Sequence, residues 1–237
     1  MKRFNGAAGD DYELFEKACP HFEELENTLG KTLQEHFKKI DIDEIKVLEI
    51  GCGPGFTSLI ILEADDRTNV TAIDNEPVML AQAKDILQRY IKNKKIELIQ
   101  ADALGFLKKQ ASYTFDVFAS GFTLHNFTKK YRKEVLKEIY RVLKNGGIFV
   151  NADKYALDNK VEHTKTLDWQ LAQFQKVYTK LKRSDLRQEW TTHYLEDNKA
   201  EIIMKESASK VSMEKSGFKN IKTVFRKKME AVIFAQK

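Results

Sequence analysis

The chain has 237 residues, 42% of them apolar, and carries 40 lysines and arginines against 35 aspartates and glutamates, a formal net charge of +5. That length suits one domain with a sizeable core. Two cysteines are too few for a disulfide scaffold and fit a reducing cytoplasm. No apolar run follows Lys2 and Arg3 as an export signal requires, and none approaches the roughly 18 residues of a membrane span, so no membrane partner is expected. Acids crowd residues 1–30 (Asp10, Asp11, Glu13, Glu16, Glu23, Glu24, Glu26), whereas residues 176–187 and 205–228 are basic. A basic flank attracts RNA or an acidic substrate. No aromatic RNA-binding motif or zinc-finger spacing accompanies it, so a solvated surface is the simpler reading, and DNA is not expected.

Residues 4–12 read F-N-G-A-A-G-D-D-Y, and beyond them Leu14, Phe15, Phe22 and Leu25 have the spacing of an amphipathic helix. Residues 47–55 read V-L-E-I-G-C-G-P-G. Val47, Leu48 and Ile50 suit a buried parallel strand, and Gly51, Gly53 and Gly55 lack the β-carbon that would keep a ligand from the backbone. Such a turn lets the next helix present its free N–H groups to a nucleotide-like ligand. Phe56 stands where the third glycine of a dinucleotide fingerprint falls, which argues against NAD and a dehydrogenase. A second strand, N-V-T-A-I-D, ends at Asp74, 19 residues past Gly55, where a carboxylate suits the two hydroxyls of a ribose; Asn75 joins it.

Glu76-Pro77 starts a helix in which Met79, Leu80, Ala83, Ile86, Leu87 and Tyr90 form a core face. Residues 96–100 make a third strand before Asp102-Ala103, and an Asp there is also a ready helix N-cap. A fourth strand spans 114–120, with residues 121–127 beyond its end. An amphipathic helix over 130–144 ends on a left-handed cap at Asn145-Gly146-Gly147, followed by a fifth strand over 148–153. His125 and Asp153 lie beyond strand ends, where ligands bind, and are the first bases to test, ahead of His163 and His193. Residues 155–212 form a helical insertion rich in aromatics (Trp169, Phe174, Tyr178, Trp190, Tyr194), expected to be mainly core. Two β-rich runs close the chain.

The E-x-G-x-G-x-G turn, Asp74, Asp102-Ala103, L-K-N-G-G-I-F-V and the terminal hairpin together resemble the class I S-adenosylmethionine-dependent methyltransferases over about residues 40–155. The resemblance implies a Rossmann-like α/β fold, doubly wound, with a mostly parallel seven-stranded sheet and a C-terminal antiparallel hairpin. One domain would comprise a helical lid (1–40), a cofactor core (41–154), an insertion between strands five and six (155–212) and the hairpin (213–237). It also implies S-adenosylmethionine as cofactor. Glu49 would serve its methionine end, Asp74 and Asn75 the ribose, and Asp102 and Ala103 the adenine, with Gly51, Cys52, Gly53, Ser120 and Gly121 around it. Residues 4–12 resemble the lid opening of small-molecule methyltransferases, which makes Tyr12 a substrate-binding candidate, as is Phe122, in the loop past the fourth strand that faces the cofactor sulfur in the family.

A-I-D-N-E-P-V-M-L, G-F-T-L and L-E-D-N are also similar to the tRNA-uridine carboxymethyltransferases. That resemblance would put Arg187 on the added carboxylate of carboxy-S-adenosylmethionine. The expectation is methyl transfer to a small molecule by in-line displacement, with no metal; carboxymethyl transfer to tRNA and non-catalytic cofactor binding are the alternatives. The acceptor and the oligomeric state are left open by the sequence.

Overall fold

The computed structural model describes residue 4 and residues 6–237. Asn5 of the opening motif, and Lys2 and Arg3 of the export argument, lie outside them. Seven strands form one sheet in the order β3-β2-β1-β4-β5-β7-β6: β1 (Ile45–Ile50), β2 (Thr68–Asp74), β3 (Ile96–Gln100), β4 (Phe115–Gly121), β5 (Leu143–Lys154), β6 (Lys219–Lys227) and β7 (Glu230–Gln236). The first five run parallel, and β7 pairs antiparallel with both β5 and β6.

Strands β1 and β4 are central, and Val47, Leu48, Val117 and Phe118 are fully buried, as a sheet covered on both faces requires. On one face lie α3 (Phe22–Phe37) and α4 (Phe56–Ala64), preceded by the short helices α1 (Ala7–Asp10) and α2 (Glu13–Ala18). Phe22, Leu25, Leu29, Leu33 and Phe37 give α3 its buried stripe. Helices α5 (Pro77–Ile86), α6 (Gln88–Lys92), α7 (Ala103–Leu107) and α8 (Lys129–Val142) connect the parallel strands. Pro77 sits in the first turn of α5, Asp102 caps α7 and Thr128 caps α8. Helices α9 (Lys160–Lys180) and α10 (Ser184–Glu196) form the insertion, and α11 (Glu206–Ser216) ends on the left-handed Gly217.

Two local expectations are corrected. The helix expected over 130–144 ends at Val142, and Leu143 is already extended; the strand begins there and takes Gly146, at φ +79°, inside it. The reason is pairing: Leu143 lies against Phe115 and Ile148 against Val117, so the glycines form a bulge rather than a helix cap. The helix after Pro77 breaks at Leu87, which leaves Ile86 41% exposed, and Met79 of its core face lines a cavity.

The insertion is tied to the sheet by charge. Lys154 at the end of β5 is buried, bonds Asp197 just past α10 and lies 3.6 Å from the Tyr194 ring centroid. Phe174, Tyr178, Trp190 and Tyr194 are buried, as expected of a core, whereas Trp169 is half-buried and stacks on His21. Removing one partner strands the other charge without water, which costs about 3–5 kcal/mol, whereas an apolar pair of similar volume is often neutral. Asp197→Ala should therefore lower stability by about that amount in urea denaturation, and the double change Lys154→Met with Asp197→Leu should recover most of it. Equal losses in both proteins would contradict this account.

Candidate functional site

The carboxyl ends of β1 to β4 converge on one edge of the sheet, where open α/β sheets take ligands. After β1 the chain turns through Gly51 (φ +70°), Gly53 (φ +54°) and Gly55 (φ +99°), all left-handed. A β-carbon on Gly51 would stand 2.2 Å from Thr123 Oγ1, and one on Gly55 would stand 2.9 Å from Leu87 Cδ1. At Gly53 it would meet nothing within 4 Å, so that residue faces open space. Asp74 closes the turn: its Oδ2 accepts from the Gly53 N–H and its Oδ1 from the Glu76 N–H, both at 2.9 Å. Burial raises its pKa against these donors.

Around this turn is a cavity of about 330 Å³. Gly51, Cys52, Gly53, Asp74, Asn75, Asp102, Ala103, Gly121, Tyr12 and Phe122 all line it, so the structure brings together ten of the residues singled out in the sequence. Asp102 is both N-cap and wall: its Oδ1 accepts from the Gly105 N–H at 2.8 Å and its Oδ2 from the Tyr131 hydroxyl at 2.6 Å. Phe122 adopts φ +46°, an uncommon and costly conformation for an aromatic residue. Arg132 pins the loop that follows, donating to the carbonyls of Leu124, Phe127 and Ile202 at 2.6 to 2.8 Å.

Glu49, Ser120, His125, Asp153 and Arg187 are not among the lining residues. Glu49 is fully buried with Oε2 accepting from Ser58 on α4 at 2.5 Å, because strand alternation aims it under that helix. Burial pushes its carboxyl up to about 8. Ser120 donates to the Ile50 carbonyl at 2.8 Å and links β4 to β1. His125 and Asp153 meet each other, Nδ1 to Oδ1 at 2.6 Å, behind the wall. Burial lowers the pKa of His125 while Asp153 opposes that. His125 Nε2 lies 3.7 Å from Asp197, beside His193. Arg187 is on α10 and donates to Gln175 at 3.1 Å.

The wall also contains residues for which the sequence suggested other roles or none: Glu26, Phe22, Phe56, Thr57, Glu76 and Met79. Glu26 had a signal, since it interrupts the apolar stripe of α3 between Phe22 and Leu29. It is 3% exposed, its Oε1 accepts from Thr57 at 2.9 Å, and burial pushes it up to about 7. Glu26 Oε2 and Glu76 Oε1 are buried with no hydrogen-bond partner among the described residues. Four carboxylates thus line the cavity (Glu26, Asp74, Glu76, Asp102), and among the described residues no lysine, arginine or histidine does. Such a lining suits a ligand that carries positive charge, as a sulfonium cofactor does.

The buried acids set a pH dependence. Folded values of about 7 for Glu26 and about 8 for Glu49 lie above the unfolded one of about 4.3. The stability they contribute is complete below the unfolded value and is lost as pH rises through the folded ones. The ligand-free protein should therefore denature at lower urea at pH 9 than at pH 6, and Glu49→Gln should shrink that difference. Equal midpoints at the two pH values would contradict the burial effect.

Residues 47–147 match a family profile described as a methyltransferase domain. A carboxy-S-adenosyl-L-methionine synthase of Shewanella piezotolerans is 25% identical over 205 residues, 84% of this chain and 81% of that one. A demethylmenaquinone methyltransferase of Lactobacillus johnsonii is 30% identical over 145 residues, and the match spans 58% of either chain. Among solved structures, the CurJ carbon methyltransferase shares the fold with a TM-score of 0.63 at 20% identity; the match covers 89% of this chain and 53% of that one.

Proposed function

We propose that this chain, a class I S-adenosylmethionine-dependent methyltransferase, transfers the methyl group to a small-molecule acceptor held in the cavity under the N-terminal helices. The observation that carries the reading is that every charged side chain lining the cavity, among the described residues, is an acid. A phosphate-bearing RNA finds no counter-charge there, whereas a sulfonium does. Asp74 keeps spare lone pairs on both oxygens for ribose hydroxyls, and Asp102 with Ala103 offers the adenine edge. When bound, the cofactor supplies a methyl group on a cationic sulfur.

The protein's own work is orientation and exclusion of water. Phe4, Tyr12 and Phe22 from the N-terminal segment close one side of the cavity, and Phe122 and Ile202 border it. His125 and Asp153 hold the loop that carries Asn126: the His125 N–H donates to Asp153 Oδ2 at 3.3 Å, and Asn126 lines the cavity. We assign them this positioning role. Two free, buried cysteines suit a reducing compartment.

Carboxymethyl transfer is the second reading, carried by the A-I-D-N-E-P-V-M-L, G-F-T-L and L-E-D-N segments; the likeness to a carboxy-S-adenosyl-L-methionine synthase is to a protein that makes the carboxylated cofactor, not one that transfers from it. An added carboxylate would enter an acid-lined space, and Arg187 is committed to Gln175 on the insertion. Calorimetry should show wild-type protein binding S-adenosylmethionine at least about tenfold more tightly than its carboxylated form. Arg187→Lys should leave both affinities unchanged. Asp74→Ala should weaken S-adenosylmethionine by about 1.5–3 kcal/mol, roughly tenfold or more, in a protein that still melts cooperatively. Preference for the carboxylated form, lost in the lysine variant, would reverse the choice of cofactor.

A further inference from the structure

One end of the cavity is a box of aromatic rings with a carboxyl group in its wall. Phe22 and Phe122 stack with centroids 5.4 Å apart and planes 3° from parallel, and Phe22 meets Phe56 edge-on at 6.4 Å. Tyr12 lies 6.4 Å from Phe56. All four rings line the cavity, and so does Glu26, one turn along α3 from Phe22. Thr57 holds one oxygen of Glu26, while the other is buried with no hydrogen-bond partner among the described residues. The end of β4 approaches this group as only glycine allows: a β-carbon on Gly121 would lie 2.8 Å from Glu26 Oε1 and 2.2 Å from Thr57 Oγ1. A buried carboxyl oxygen without a donor is costly. Ring faces attract cations, and a carboxylate completes the recognition through charge-assisted hydrogen bonds.

We propose that the acceptor is a small amine, held as its ammonium by Glu26 and the rings of Tyr12, Phe22, Phe56 and Phe122, and that the reaction is N-methylation. The inference rests on the methyl-transfer reading above and names its substrate class. Glu26 takes one proton from the ammonium, which frees the nitrogen lone pair. That pair forms the N–C bond with the cofactor's methyl carbon as the S–C bond breaks and its electrons stay on sulfur. The product is an N-methylammonium, and Glu26 returns its proton to solvent on release. Burial pushes Glu26 up to about 7, which suits a proton acceptor at neutral pH. Anionic acceptors meet Glu26, Asp74, Glu76 and Asp102 with no described base among them.

Calorimetry on the full chain saturated with S-adenosylhomocysteine tests this, with phenethylamine and 3-phenylpropionate as probes of matched shape and opposite charge. The amine should bind at least about tenfold more tightly than the carboxylate in the wild type, and Glu26→Gln should weaken the amine about tenfold while S-adenosylhomocysteine stays within about threefold. Retained S-adenosylhomocysteine binding also shows that the variant is folded. Equal or tighter binding of 3-phenylpropionate, no amine binding at millimolar concentration, or an amine affinity untouched by Glu26→Gln would each overturn the proposal. A parallel loss of S-adenosylhomocysteine would overturn it too, by assigning Glu26 to the cofactor's own ammonium. Failure of the wild type to bind S-adenosylhomocysteine would instead remove the methyltransferase reading beneath it.

Discussion

The hydrogen bond from the Gly53 N–H to Asp74 joins the ends of the two strands on which the site depends. It fixes a left-handed turn whose glycines are hemmed by Thr123 on one side and Leu87 on the other. Because Asp74 also accepts from the Glu76 N–H, the same carboxylate sets the start of α5. One half-buried acid thus holds the β1 turn and the β2 turn at a fixed separation, and the space between them is what a nucleoside can fill. The backbone donors on Asp74 use part of its accepting capacity and leave the rest directed at the cavity.

The remaining walls come from elements with different mechanical roles. The sheet edge is rigid, with Val47, Leu48, Val117 and Phe118 wholly buried beneath it. The loop after β4 is held by Arg132, a guanidinium whose pKa burial lowers to about 10, bonded to carbonyls of the loop and of the segment around Ile202. The N-terminal helices are the cover. They place Tyr12, Phe22 and Glu26 over the turn, and Glu189 of α10 accepts from the N–H groups of Ala7 and Ala8 at 3.2 and 2.8 Å. The insertion therefore supports the cover and supplies Ile202 to the cavity, but its Phe174, Tyr178, Trp190 and Tyr194 pack inward. The rings that line the cavity belong to the N-terminal segment (Phe4, Tyr12, Phe22), the start of α4 (Phe56), the loop after β4 (Phe122, Phe127) and α8 (Tyr131).

Much of this was legible in the sequence because backbone constraints leave local signatures. Three glycines in alternation, an acid at the second strand tip and a Gly-Phe step after the fourth strand report positions that only certain residues tolerate. Glu49 was harder: the motif suggests an acid at the cofactor, but strand alternation turns it beneath α4 to Ser58. His125 lies beyond the end of β4 as expected, whereas Asp153 is still inside β5, paired with Ala231; the two meet, yet the burial that joins them to Asp197 and Lys154 is a property of the insertion's docking that no local pattern carries. Glu26 is one of seven acids in residues 1–30. Only its place in the apolar stripe of α3 sets it apart, and its proximity to Gly121 and Thr57 depends on how that helix packs against the sheet.

The central claim is that the cavity at the strand ends binds a sulfonium nucleoside. Mass spectrometry of the small molecule released from purified protein tests it most directly. The account predicts S-adenosylmethionine or S-adenosylhomocysteine, present in the wild type and strongly depleted in Asp74→Ala. Recovery of NAD, or of the carboxylated cofactor as the main species, would contradict it.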